Sequence, residues 1–125
     1  MNVKRITPVL FVNAIEPILP FWVDRLGFAK TIEVPHGDKL GFVILVRGGV
    51  ELMVQTRDSI KADEPKCLPV GPGSVFIEIE NLEEIAKRLP PGSNVLVPRR
   101  ETFYNSIELL MRDAGGNVVI FAQMK

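Results

Sequence analysis

The chain has 125 residues, one domain's worth, and folding should bury roughly two-thirds of its unfolded surface. Apolar residues make up 46% and charged residues 24%, which excludes a disordered or collagen-like chain and a two-domain enzyme with its own cofactor domain. Fifteen Lys and Arg cancel fifteen Asp and Glu, so no net field steers the molecule toward nucleic acid or anionic lipid.

In chain order, residues 3–12 mix β-branched and apolar side chains and predict a strand. Its apolar run from Ile6 is broken by Thr7 and Pro8 and falls far short of the ~20 residues of a membrane-spanning helix. No small-residue cleavage site follows, so the chain reads as mature and cytoplasmic. Residues 16–27 predict a helix closed by Gly27. Pro17 is tolerated in a first turn, whereas Pro20 makes that turn irregular. Ile18, Phe21 or Trp22, and Leu26 recur at helical spacing; one of the adjacent aromatics must turn away, leaving Trp22 partly exposed.

Three strands follow at 29–34, 40–46 and 50–55, with His36-Gly37-Asp38 and Gly48-Gly49 as the turns between them. The stretch 56–73, with Pro65, Pro69 and Pro72, reads as a linker or a lid. The order then repeats: a strand at 74–80, a helix at 82–89 stopped by Pro90-Pro91-Gly92, and strands at 94–99, 106–112 and 118–122. An offset of 67 sets Val12 on Ile79, Ile15 on Leu82 and Ile18 on Ile85, and Gly48-Gly49 falls within about a residue of Gly115-Gly116. Two βαβββ modules, 1–56 and 74–125, joined through 57–73, place a site between the copies.

The single Cys67 forms no internal disulfide, and one His with one Cys cannot build a zinc site. Cys67 reads as a bystander, and His36 as a solvated turn residue that serves as a base only if its loop closes.

Three stretches carry a family resemblance. The run from Phe21-Trp22 through Leu26-Gly27-Phe28 resembles a Phe-Tyr-x-x-x-Leu-Gly-Phe signature. Tyr104 through Glu108 to Arg112-Asp113-Ala114-Gly115-Gly116-Asn117 resembles Tyr-Gly-x-Arg-Glu…Arg-Asp-Pro-Asp-Gly-Asn, and residues 75–82 resemble the strand that opens a second module. All three are features of the vicinal oxygen chelate superfamily, which includes glyoxalase I, extradiol dioxygenases, fosfomycin-resistance enzymes and bleomycin-resistance proteins. The resemblance implies an α+β fold of two βαβββ modules that form a curved, incomplete mixed β-barrel, completed in a homodimer. Metal-dependent members take ligands from the first and last strands of each module. Those positions fall here on Thr7 and Ser74, on Glu51 or a neighbour, and on Ile120. One carboxylate, two hydroxyls and an isoleucine do not hold a divalent ion, so no metal cofactor is expected.

In this fold each sheet packs a helix on one face and lines a cavity with the other. Strand alternation then turns Thr7, Val9 and Phe11, Glu51, Met53 and Gln55, Ser74, Phe76 and Glu78, and Val118, Ile120 and Ala122 inward. From these the ligand-binding set is Thr7, Phe11, Glu51, Met53, Ser74, Phe76, Glu78 and Ile120, with Tyr104 added as an aromatic carrying a polar handle. Glu78, among apolar neighbours, requires a cation or solvent, and at most one of Arg99 and Arg100 clamps an anion. The expected function is metal-free sequestration of an amphipathic or aromatic small molecule in a dimer-associated cleft, with no nucleic-acid or membrane partner. The alternatives are a lyase, isomerase or dioxygenase with atypical ligands, and a structural or regulatory homodimer with a closed cleft.

Overall fold

Eight strands form two four-stranded mixed sheets of identical internal order in the computed structural model, which describes residues 1–125. The first sheet runs β1 (Val9–Val12), β4 (Val50–Thr56), β3 (Lys39–Arg47), β2 (Ala29–His36). The second runs β5 (Ser74–Glu78), β8 (Val118–Met124), β7 (Ser106–Arg112), β6 (Asn94–Glu101). In each, the first strand lies parallel to the last and the other neighbours are antiparallel. The internal repeat extends to the ladders: Val9 stands beside Met53 and, 67 residues on, Phe76 stands beside Ile120. Neither sheet closes into a barrel.

Three local expectations need correction. The first strand is shorter than residues 3–12: its ladder begins with Met53 N–H donating to the Pro8 carbonyl at 3.0 Å, and the residues before it find no strand partner. The 16–27 segment is not one α-helix. Pro17 and Pro20 offer no N–H, so the chain makes a 3-10 turn at Glu16–Ile18 and then a wide π-helical turn at Pro20–Arg25. There Leu26 N–H reaches the Phe21 carbonyl at 3.0 Å. The wider turn buries both aromatics, and Phe21 and Trp22 meet edge-on at 5.1 Å between ring centroids. The linker, finally, contains α1 (Arg57–Asp63), capped by Thr56, whose hydroxyl accepts from Ser59 N–H at 3.1 Å, and anchored by buried Ile60.

The second-module helix, α2 (Leu82–Arg88), follows the sequence reading. Asn81 caps its start, Glu83 and Glu84 open it, Lys87 and Arg88 close it, and Leu82 and Ile85 are buried. One core of 18 residues runs through both modules. It joins Leu10, Val12 and Val54 of the first sheet to Leu109, Val119 and Phe121 of the second, with Phe21 and Phe121 in edge contact at 6.3 Å. Burial of this shared surface holds the modules together. No helix is long and apolar enough to cross a membrane.

Candidate functional site: a cleft between the modules

A cleft of about 710 Å³ lies where the two modules meet. Its floor is aromatic and aliphatic: Trp22, Leu26 and Phe28 from the first module, and Ile85 and Phe121 from the second. Trp22 is only 1% exposed, so it is a floor residue and not a partly exposed one. Its ring is fixed on one side by Phe28, edge-on at 5.4 Å, and at its polar end by an N–H donated to Asp113 Oδ2 at 3.1 Å. Around the mouth stand Arg47 and Glu51, Ser74, Phe76 and Glu78, and Glu84 and Arg88.

Of the nine residues expected to bind a ligand, four line this cleft: Glu51, Ser74, Phe76 and Glu78. Thr7 supports it indirectly. Its hydroxyl donates to Glu51 Oε1 at 3.2 Å while Arg5 approaches Oε2 at 3.4 Å, so the carboxylate is already held from two sides. Phe76 is 51% exposed, and Glu78 resolves its apolar setting by opening to solvent. Phe11 and Met53 are half-buried on the face of the first sheet turned away from the core, and Ile120 is half-buried beside Phe76 on the second; none of the three reaches the cleft. His36, at the end of β2, and exposed Cys67 also lie away from it.

The donor set does not fit a divalent metal. The strand neighbour of Ser74 is Val118, so the second-module counterpart of the Thr7–Glu51 pair is a serine beside a valine, and Ile120, two residues on, brings no donor atom either. Nowhere do three His, Cys, Asp or Glu side chains gather as they would around an ion. Glu51, shared between a hydroxyl and a guanidinium, is the single carboxylate at these positions.

Tyr104 occupies a different site from the one expected. It sits on the β6–β7 hairpin and its phenol donates to the carboxylate of Glu108, a residue sequence reasoning did not single out. Glu108 has no exposed side-chain surface, yet all its needs are met: Arg100 Nε and Nη2 donate to Oε1 at 3.0 and 2.8 Å, and Ser106 Oγ to Oε2 at 3.0 Å. Burial is the largest single influence on this carboxyl and would raise its pKa. The hydrogen bonds from Tyr104, Arg100 and Ser106, with the guanidinium charge, outweigh burial and hold it below the usual carboxylate range. Of the adjacent arginines, then, Arg100 clamps an anion, and that anion is internal. The sequence signal was the Tyr104…Glu108 spacing within the quoted motif; its partner lay across a strand pair with irregular register.

No family model and no curated protein matches the chain. Solved structures do. A lactoylglutathione lyase from Agrobacterium tumefaciens is 17% identical with a TM-score of 0.77, over 98% of this chain and 95% of that one. A glyoxalase/bleomycin resistance protein/dioxygenase from Nocardioides is 18% identical with a TM-score of 0.73, over 99% and 85%. The bleomycin-binding protein of bleomycin-producing Streptomyces verticillus, solved with copper(II)-bleomycin, is 23% identical with a TM-score of 0.67, over 100% and 99%. At these identities the likeness establishes architecture alone: the chain has the fold of these glyoxalase/bleomycin-resistance/dioxygenase structures.

Proposed function

We propose that this chain is a metal-free small-molecule binding protein of the glyoxalase/bleomycin-resistance type, which takes up an amphipathic or aromatic compound in the cleft between its modules. The observation that carries this reading is the cleft itself: about 710 Å³, with Trp22, Phe28 and Phe121 on its floor and charged side chains at its mouth. That volume lies within the range of small-molecule sites, and an apolar floor with a few polar groups at the rim is their usual composition. Glu51, Ser74, Phe76 and Glu78 would contact the ligand there, with Thr7 positioning Glu51. The shortage of metal donors favours binding over the metal-assisted reactions of the fold.

We further propose a cytoplasmic homodimer. The sheet faces turned away from the core carry the apolar rows Val9-Met53-Ile44-Ile32 on the first and Phe76-Ile120-Leu110 on the second, while the Phe11-Gln55-Phe42-Val34 row is bordered by α1, with Gln55 donating to Ser59 Oγ at 3.1 Å. Ile32, Val34 and Phe76 are about half exposed, apolar surface that a second copy would cover. Phe11, Met53, Ile120 and Tyr104 would then face a second copy or a ligand held between copies. A free, exposed Cys67 suits a reducing compartment.

The test is a titration with 1-naphthylmethylamine followed through the emission of Trp22, the one tryptophan. A saturable change in metal-free buffer is expected, and a dimer by solution sizing. A flat titration, or binding that appears only when a divalent metal is added, removes the reading.

A further inference from the structure

Strand β5 meets the cleft with every one of its residues, Ser74, Val75, Phe76, Ile77 and Glu78. Successive side chains of a strand point to opposite faces, so a strand that meets a cavity with both faces meets it along its edge. β5 is the terminal strand of its sheet, and β8 is its one strand partner. The ladder to β8 uses the odd positions: Val118 N–H donates to the Gly73 carbonyl at 3.0 Å, and Ile79 N–H to the Ala122 carbonyl at 2.9 Å. In a parallel ladder the intervening residues turn both backbone groups the other way. The N–H and C=O groups of Ser74, Phe76 and Glu78 therefore point toward the cleft, without a partner in the chain.

We infer that the cleft takes an extended peptide, or a compound built on peptide amides, which pairs as an added strand with Ser74, Phe76 and Glu78. The inference rests on the proposed reading of the cleft as a small-molecule site and specifies the chemical class of its ligand. Strand addition fixes register through main-chain hydrogen bonds and leaves alternate side chains to find pockets, here the Trp22–Phe28–Phe121 floor. The free edge extends about 16 Å over five residues. Its opposite wall is the same chain, through Ile6, Pro8 and Leu52, so a strand that pairs with this edge lies between two walls of one molecule. Charge fits as well. Arg47 and Arg88, and Glu78 and Glu84, line the cleft and make no ion pair within the chain, which complements the two charged ends of a short peptide.

The test compares the free pentapeptide Thr-Val-Phe-Val-Thr with the same peptide N-methylated at both valines, using calorimetry and backbone hydrogen exchange on the full chain. The unmethylated peptide should bind and slow exchange at Ser74, Phe76 and Glu78 at least tenfold, whereas the methylated one should do neither. Ser74→Ala keeps the edge N–H and loses only the hydroxyl, so it should retain more peptide binding than Ser74→Pro. Ser74→Pro removes that donor at a strand start, where proline is tolerated, and should weaken binding about 2- to 10-fold, the worth of one net hydrogen bond. If 1-naphthylmethylamine binds while the peptide does not, or both peptides bind equally, or the three amides stay unprotected, the inference falls and the proposed function stands. If neither probe binds, both fall. Protection of the same amides in the free protein that grows with its concentration assigns the edge to a second copy and also overturns the inference.

Discussion

The indole N–H of Trp22 donates to Oδ2 of Asp113 at 3.1 Å, joining residues 91 apart in the chain and in different modules. The other oxygen of Asp113 accepts from Gly115 N–H at 3.0 Å and Asn117 N–H at 3.1 Å, which shapes the turn between β7 and β8. Asn117 in turn donates to the Phe11 carbonyl at 3.1 Å and accepts from Gly73 N–H at 2.7 Å. The two most recognisable motifs of the chain thus meet in space. One supplies the helix that floors the cleft and the other the turn that locks it, and both are buried where unpaired groups would be costly.

Trp22→Phe is therefore expected to destabilise the fold by about 2–4 kcal/mol, through an Asp113 oxygen left without its indole donor and the space the smaller ring leaves. Urea unfolding checks this as a lowered midpoint with an unchanged slope. A loss below about 0.5 kcal/mol would show that the bond contributes little to joining the modules.

Gly115 and Gly116 should respond to alanine for different reasons. A Cβ on Gly115 would press on Val12 Cγ1 and lie 3.2 Å from Ile18 Cγ2, so Gly115→Ala overpacks the junction and should cost about 1–3 kcal/mol. Gly116 has open space around it but φ +85°, so its cost is backbone strain of about 1–2 kcal/mol. Asparagine tolerates that conformation, so Gly116→Asn should recover part of the loss and Gly115→Asn none. Thermal melts of the four variants test this; equal recovery at both positions contradicts it.

How much of this was legible depended on whether the deciding interactions were local. β7 was read to the residue because alternation and a following glycine turn define it within the strand itself. The prolines at 17 and 20 announced an irregular helix, but not that a π turn would bury Phe21 and Trp22 together, since that follows from packing against Phe121. The prolines of 56–73 masked α1, although Thr56, Ser59 and Ile60 carry its cap and anchor. Strand alternation makes Thr7 and Glu51 legible as inward-facing positions, but not the hydrogen bond between them, which needs the register of two segments 44 residues apart. Glu108 stayed hidden because a carboxylate between Ile107 and Leu109 says nothing of an arginine eight residues back across a shifted ladder.

Acid should destabilise the fold through its held carboxylates. Glu108 is lowered as described, Glu16 chiefly by the N–H of Leu40 at 2.8 Å, and Glu101 chiefly by its hydrogen bond from Lys125 at 2.9 Å. The unfolded chain binds protons at these groups first, near the ordinary glutamate value of about 4.3. Their contribution is thus fully present above about pH 5 and is lost as pH falls through the lower folded values. Stability measured from pH 6 to pH 3 should fall, and Glu108→Gln, which leaves Arg100 without its anion, should be less stable at pH 6 and show a shallower fall. A variant with the wild-type slope would place the acid sensitivity elsewhere.

Chelation should change nothing. A structural or catalytic ion present at 100 times its dissociation constant stabilises a fold by about 2.7 kcal/mol, which for a chain of this size shifts the melting temperature by several degrees. The positions that the resemblance assigns to metal ligands hold Glu51, already engaged by Thr7 and Arg5, and Thr7, Ser74 and Ile120. Dialysis against EDTA is accordingly expected to leave both the melting temperature and the Trp22-monitored titration unchanged. Incubation with zinc, nickel or ferrous iron followed by gel filtration should leave well under one ion per chain by elemental analysis. Retention of one ion per chain, with a melting temperature that falls on chelation and recovers on reloading, would replace the metal-free reading with a metal site built from donors other than these.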